Sequence, residues 1–166
     1  MRLLTLLWIA FSLAFAVQAQ EIKGHYAIKN VKTGMLLRVK DASNKNGTPL
    51  VAYDPQNWKC MTWEFLHQEQ NIYQLSNLLT RKTFQPNGTI AESAALEEQP
   101  LAQGTGNQLY EFIPVGKDVY LIRLKATEWY LTPSDPDGKI NSAIVLAKKK
   151  NTTDQRWQIY TQEPTM

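Results

Sequence analysis

Asn151–Tyr160 reads NTTDQRWQIY, and a looser version, GTGNQLYEFI, occupies Gly104–Ile113. Aligned on Asp154-Gln155 and Asn107-Gln108, Trp157 falls on Tyr110 at an offset of 47 residues. Another step of 47 towards the N-terminus lands on Trp63, in KCMTWEFL (59–66). The interval reaches well beyond these aromatics. Tyr26, Tyr73 and Tyr120 obey it, as do Ile28, Leu75 and Ile122, then Thr33, Thr80 and Thr127. Leu37, Phe84 and Leu131 form another such set, and Phe65, Phe112 and Ile159 complete it. Three of only seven tyrosines share one register, so the chain is a threefold internal repeat.

Each repeat reads as strands. HYAIKN (25–30), IYQLSN (72–77) and VYLIRL (119–124) alternate or are rich in β-branched and aromatic residues. Around each repeated aromatic the alternation is strict, as in Met61-Thr62-Trp63-Glu64-Phe65. First, third and fifth residues of a strand share a face, so the aromatic and its apolar neighbour face one way. Turn signals divide the strands at Gly34, Asn46-Gly47, Asn87-Gly88 and Asp135–Gly138. No segment sustains a helical period. The reading is all-β, with about four short strands per repeat. Three such units cannot bury their apolar faces alone. Grouped about a pseudo-threefold axis they share one core, with Trp63, Tyr110 and Trp157 expected to meet near its middle, and closure into a barrel removes exposed strand edges.

The N-terminus has another character. MRLLTLLWIAFSLAFAVQAQ (1–20) carries one charge, Arg2, then an apolar run to Val17 that is short for a membrane span. Val17-Gln18-Ala19 fits a small-x-small cleavage site, which predicts a signal peptide over 1–19 and a single mature domain over 20–166. The expected location is extracellular or periplasmic. Eighteen basic against 15 acidic side chains give a net +3, too balanced for a nucleic-acid-binding face. The lone cysteine, Cys60, cannot form an internal disulfide, so stability must come from the core.

These repeats resemble the ricin B-type β-trefoil lectins. The family's Gln-x-Trp signature stands as Gln155-Arg156-Trp157, near-intact as Gln108-Leu109-Tyr110, and decayed as Met61-Thr62-Trp63. The first repeat instead keeps the family's hairpin pattern, YAIKNVKTGMLLRV (26–39) followed by NGTPLVAYD (46–54). The resemblance implies a β-trefoil of three repeats of about 47 residues and a lectin-like, carbohydrate-binding function. It also implies, at each sugar site, a carboxylate after the second-strand Leu, a stacking aromatic on the third strand, and an Asn or Gln donor. Here the residues after Leu37, Phe84 and Leu131 are Arg38, Gln85 and Thr132, so no repeat keeps the carboxylate.

The first repeat is the best-equipped candidate site. Tyr53 offers a ring, Arg38 a planar pair of donors, and Asn57 and Trp58 a rim. Against this stands a structural reading in which Tyr53 covers the barrel wall and Arg38 pairs with Asp41 or Asp54. If Arg38 is free, a glycan bound there is acidic, a uronic acid or a sulfated sugar. In the second repeat Gln85, Asn87 and Asn107 could meet hydroxyls without an aromatic platform, and in the third Trp129 is expected at a turn. Gln108 and Gln155 read as structural, with Asn107 and Asp154 nearer the surface. Asn46, Asn87 and Asn151 begin glycosylation sequons.

No catalytic or metal-binding motif is present, and no cofactor is expected. The expected partners are glycans or glycoconjugates, with no nucleic acid and no membrane span. A protein-binding β-trefoil, such as a secreted protease inhibitor or interaction module, is the alternative.

Overall fold

A computed structural model of the chain describes Gln20–Thr165, so the expected signal peptide lies outside the described residues. Twelve strands follow the interval of 47. The first repeat holds β1 (His25–Asn30), β2 (Leu36–Val39), β3 (Leu50–Tyr53) and β4 (Thr62–Glu69). The second holds β5 (Ile72–Asn77), β6 (Thr83–Pro86), β7 (Leu96–Gln99) and β8 (Tyr110–Gly116). The third holds β9 (Val119–Leu124), β10 (Trp129–Pro133), β11 (Ile144–Lys148) and β12 (Arg156–Thr161). The expected four strands per repeat are all there.

The first and fourth strands of each repeat close a six-stranded antiparallel barrel. Pairing runs β1–β4, β4–β5, β5–β8, β8–β9 and β9–β12, and β12 returns to β1 through Ile28↔Ile159 and its neighbours. Closure leaves none of these strands with an unpaired edge. The middle strands form three hairpins, β2–β3, β6–β7 and β10–β11, which touch one another through bridges such as Val51↔Ala143 and Ala95↔Val145. This is a β-trefoil.

The turn that launches a hairpin is built by one side chain. Asn30 is fully buried at the end of β1, and its Oδ1 accepts the Lys32 and Thr33 N–H groups at 3.2 and 3.1 Å. Asn77 does the same for Leu79 and Thr80 in the second repeat. The third repeat has Leu124 there, and its turn is held instead by the Thr127 hydroxyl, which donates to the Leu124 carbonyl at 2.8 Å. Each device satisfies backbone groups that the sharp reversal takes out of the ladder.

The core is continuous through the barrel and under the hairpins. Trp63, Tyr110 and Trp157 are buried to 1% exposure or less, as expected of anchors. They do not meet as a trio, however. Phe84 stands between Trp63 and Tyr110, with ring centroids 5.2 and 4.6 Å away. The rings that gather are Phe65 and Phe112, 4.9 Å apart, with Tyr73 against both and Tyr26 and Tyr120 outside them. Copies related by a threefold axis touch only when both lie beside it, so this cluster marks the axis. No helix among the described residues is long and apolar enough to cross a membrane.

Candidate functional site

The glutamine of the Gln-x-Trp signature sets the baseline from which the first repeat departs. Gln155 ends the single 3₁₀ turn Thr153–Gln155 that precedes β12. Its Nε2 donates to the Lys148 carbonyl and to the Thr132 hydroxyl, both at 2.9 Å, and its Oε1 accepts the Lys150 N–H at 2.6 Å. Gln108 repeats this in the second unit. It donates to the Pro100 carbonyl at 3.0 Å and to Gln85 Oε1 at 2.9 Å, and accepts the Ala102 N–H at 2.9 Å. One buried amide thus ties the exit of the third strand to the side chain that follows the second-strand anchor. The structural role expected for both glutamines holds, and Gln85 is spent inside the protein.

In the first repeat both ends of that tie have changed together. Met61, fully buried, replaces the glutamine and can make none of its bonds. Arg38 replaces Gln85 and Thr132. Its guanidinium lies over the Tyr53 ring at 4.0 Å from the centroid, and 5.8 Å from that of Trp58. The two rings are 6.2 Å apart and inclined by 36°. Arg38 is 8% exposed, and its Nε has no hydrogen-bond partner. Among the described residues neither Asp41 nor Asp54 forms an ion pair with it. The expected neutralising partners are therefore not in place. Cys60 is buried beside it; burial pushes its thiol pKa up, and hydrogen bonding to Arg38, then the Arg38 charge, oppose that rise.

The structure brings Arg38, Tyr53 and Trp58 together. Asn57 stands apart, exposed, with its Nδ2 donating to the Glu163 carbonyl at 2.8 Å. The C-terminal segment adds a second staple, Gln162 Nε2 to the Gln56 carbonyl at 2.7 Å, so the loop after β3 is held at both residues. Register confirms that Tyr53 has no aromatic counterpart. Tyr53 pairs with Leu36, and the equivalent positions across β6–β7 and β10–β11 are Gln99 and Ala147. Trp129, expected at a turn, begins β10 instead and packs half-buried against the core, with Lys148 Nζ 6.0 Å over its ring. Asp154, expected nearer the surface, is buried, while Asn107 is half-buried. Asn46, Asn87 and Asn151 are all exposed. No cluster of metal-ligating side chains occurs among the described residues.

The sequence model of one protein family, the ricin-type beta-trefoil lectin domain-like proteins, matches residues 10–97, more than half of the chain. The chain belongs to this family. Among solved structures it superposes on ThreeFoil, a designed threefold-symmetric protein, with a TM-score of 0.78 and 15% identity, covering 82% of this chain and 98% of that one. The Rhizoctonia solani agglutinin gives 0.76 at 17% identity, over 87% and 98%. A ricin B-like lectin from Macrolepiota procera, in complex with lactose, gives 0.69 at 19% identity, over 84% and 96%. Comparison with curated protein sequences yields no match. At such identities the likeness speaks for the fold, and the first-repeat side chains must speak for the ligand.

Proposed function

We propose that this ricin-type trefoil is a secreted, non-catalytic carbohydrate-binding module whose one equipped site, in the first repeat, takes an acidic sugar on Arg38. The observation that carries this reading is the unpaired guanidinium. Moving a cation out of water without a counter-charge costs several kcal/mol, and such groups are ordinarily paired. Arg38 is buried against Tyr53 and Trp58 with no carboxylate on it. A uronate or sulfate group supplies two acceptor oxygens in the plane of the fork. A neutral sugar hydroxyl supplies neither the charge nor the geometry. The Tyr53 ring lies against the guanidinium, and Trp58 beside it offers apolar surface to ring C–H groups.

A single shallow site predicts weak monovalent binding, strengthened by clustering on a surface. The test is calorimetric titration of the mature protein with uronic-acid, sulfated and neutral oligosaccharides at low and high salt. Acidic sugars are expected to bind best at low salt, and Arg38→Ala and Tyr53→Ala each to abolish binding. Preference for neutral galactosides, or acidic binding indifferent to both substitutions, would overturn the assignment. N-terminal sequencing of the exported protein checks the location, with Gln20 expected as the first residue.

A further inference from the structure

The hairpins leave the barrel from the Asn30 end of β1, so Tyr26 and its equivalents lie at the opposite end. There the barrel opens into a cavity of about 430 Å³. Tyr26, Tyr73 and Tyr120 line it, one position repeated in three units, with Phe112 beside them. Tyr73 and Tyr120 stand edge-on to Phe112 at 5.6 and 5.7 Å. The N-terminal segment forms one wall, pinned where the Ile22 N–H donates to the Tyr73 hydroxyl at 3.0 Å.

The charges on this lining are unlike the rest of the molecule. The chain is net positive, yet the charged side chains lining the cavity are two carboxylates, Glu21 and Asp118. Glu21 is partly neutralised by Lys23 at 3.2 Å, and the α-ammonium that signal-peptide cleavage would leave on Gln20 adds a second cation to this lining, while Asp118, exposed to solvent, makes no ion pair among the described residues. The Tyr26 hydroxyl donates to the Lys23 carbonyl, and Tyr120's has no partner among the described residues. Burial raises the Tyr120 pKa, and Asp118, Tyr73 and Tyr26 raise it further, so the site opposes any additional negative charge. The two carboxylates disfavour an anion here, and Asp118 offers a cation a partner that a neutral guest does not use. A compact ammonium or metal ion would lose a strong hydration shell for aromatic carbon. An alkylated ammonium spreads its charge over apolar surface and suits both the rings and the carboxylate.

We infer that the barrel-end cavity binds an alkylated ammonium group, with the half-buried Tyr26 and Tyr120 as its aromatic wall, the buried Tyr73 behind them, and Asp118 as its counter-charge. The site is remote in kind from the first-repeat sugar site and stands or falls independently of it. Its volume suits a small solute or a single lipid headgroup.

The probe is choline, titrated into the mature protein while amide and side-chain NMR shifts are followed. Saturable shifts are expected at Tyr26, Tyr73, Tyr120 and Phe112, with millimolar affinity. The uncharged carbon isostere 3,3-dimethyl-1-butanol should bind at least about tenfold more weakly. Asp118→Asn keeps a side chain tolerated at the left-handed backbone of that residue (φ +55°) and should weaken choline about three- to tenfold with the fold intact. Tyr120→Leu should do the same. Flotation with phosphatidylcholine vesicles, reversed by choline, would place the headgroup in a lipid; choline binding without flotation would place it in a free solute. Equal binding of the uncharged isostere overturns the inference, as do shifts that never saturate or choline binding indifferent to Asp118→Asn.

Discussion

Trp157 Nε1 donates to the carbonyl of Leu131 at 3.0 Å, 26 residues earlier in the chain. Trp63 makes the same bond to Leu37 at 3.2 Å, and Tyr110 to Phe84 at 3.1 Å, across the same separation. Each repeat therefore pins its fourth strand beneath its second with the polar tip of a buried aromatic. This explains why the second repeat tolerates Tyr in place of Trp. A phenol hydroxyl and an indole N–H both donate, whereas Phe would not.

Removing the whole anchor should be severe. Trp157→Ala deletes a side chain 1% exposed and is expected to cost about 3–5 kcal/mol, close to the entire stability of a marginal domain. Tyr110→Phe removes only the donor and should cost about 1–2 kcal/mol. Thermal melts measure both. A Trp157→Ala protein melting within a degree or two of the parent would contradict the anchoring role.

Gln155 makes three bonds with one amide, two of them to the backbone at Lys148 and Lys150. Gln155→Met copies into the third repeat what the first repeat carries at Met61. It strands the Lys150 N–H and the Lys148 carbonyl at the exit of β11, and should cost about 2–4 kcal/mol. Faster amide exchange confined to Lys148–Asn151 should accompany the loss. Unchanged melting would show that water satisfies this backbone.

The interval of 47 made the fold legible because it fixes geometry that every repeat must share: four strands, a buried anchor and the turn before it. The individual site was less legible. Asp41 lies three residues past Arg38 and invites pairing, yet it sits exposed in a 3₁₀ turn at φ +53° and forms no bridge. Linear spacing says nothing of reach once the chain leaves the strand. The first repeat stood out in the sequence by its side chains, but the link between its two altered positions, Met61 for glutamine and Arg38 for Gln85 or Thr132, shows only when the fold brings them together. Asp154 misled for another reason. Its backbone carbonyl accepts Asn30 Nδ2 at 2.8 Å, a bond across 124 residues that draws its residue inwards.

Glu98 on β7 is fully buried, with the Thr80 hydroxyl donating to one oxygen and nothing on the other. Burial raises its pKa above the ordinary 4.5, and Thr80 and Lys82 only partly offset this. The folded protein therefore holds this proton more tightly than the unfolded chain. Below about pH 4.5 both states are protonated and the group costs nothing; as pH rises past that value the unfolded chain ionises first, and stability falls until the folded-state pKa is passed. Glu98→Gln removes the ionisation and keeps an acceptor for Thr80. It should raise the melting temperature at pH 7 and make little difference below pH 4. A variant less stable than the parent at pH 7 would mean the carboxylate is compensated there.

The last prediction separates a functional Arg38 from a structural one. If the guanidinium is held ready for an anion, its burial is a standing cost in the unliganded protein, offset only in part by stacking on Tyr53 at 4.0 Å. Arg38→Met keeps the length and apolar stem while removing the charge. It should raise stability by about 1–3 kcal/mol, near the upper end of what single substitutions give, and destroy binding of acidic oligosaccharides. Melting and calorimetry on the same preparation measure both effects. A structural arginine gives the opposite pattern, because losing its stacking on Tyr53 and Trp58 lowers the melting temperature. A less stable Arg38→Met protein that still binds uronates or sulfated sugars as the parent does would remove Arg38 from the site.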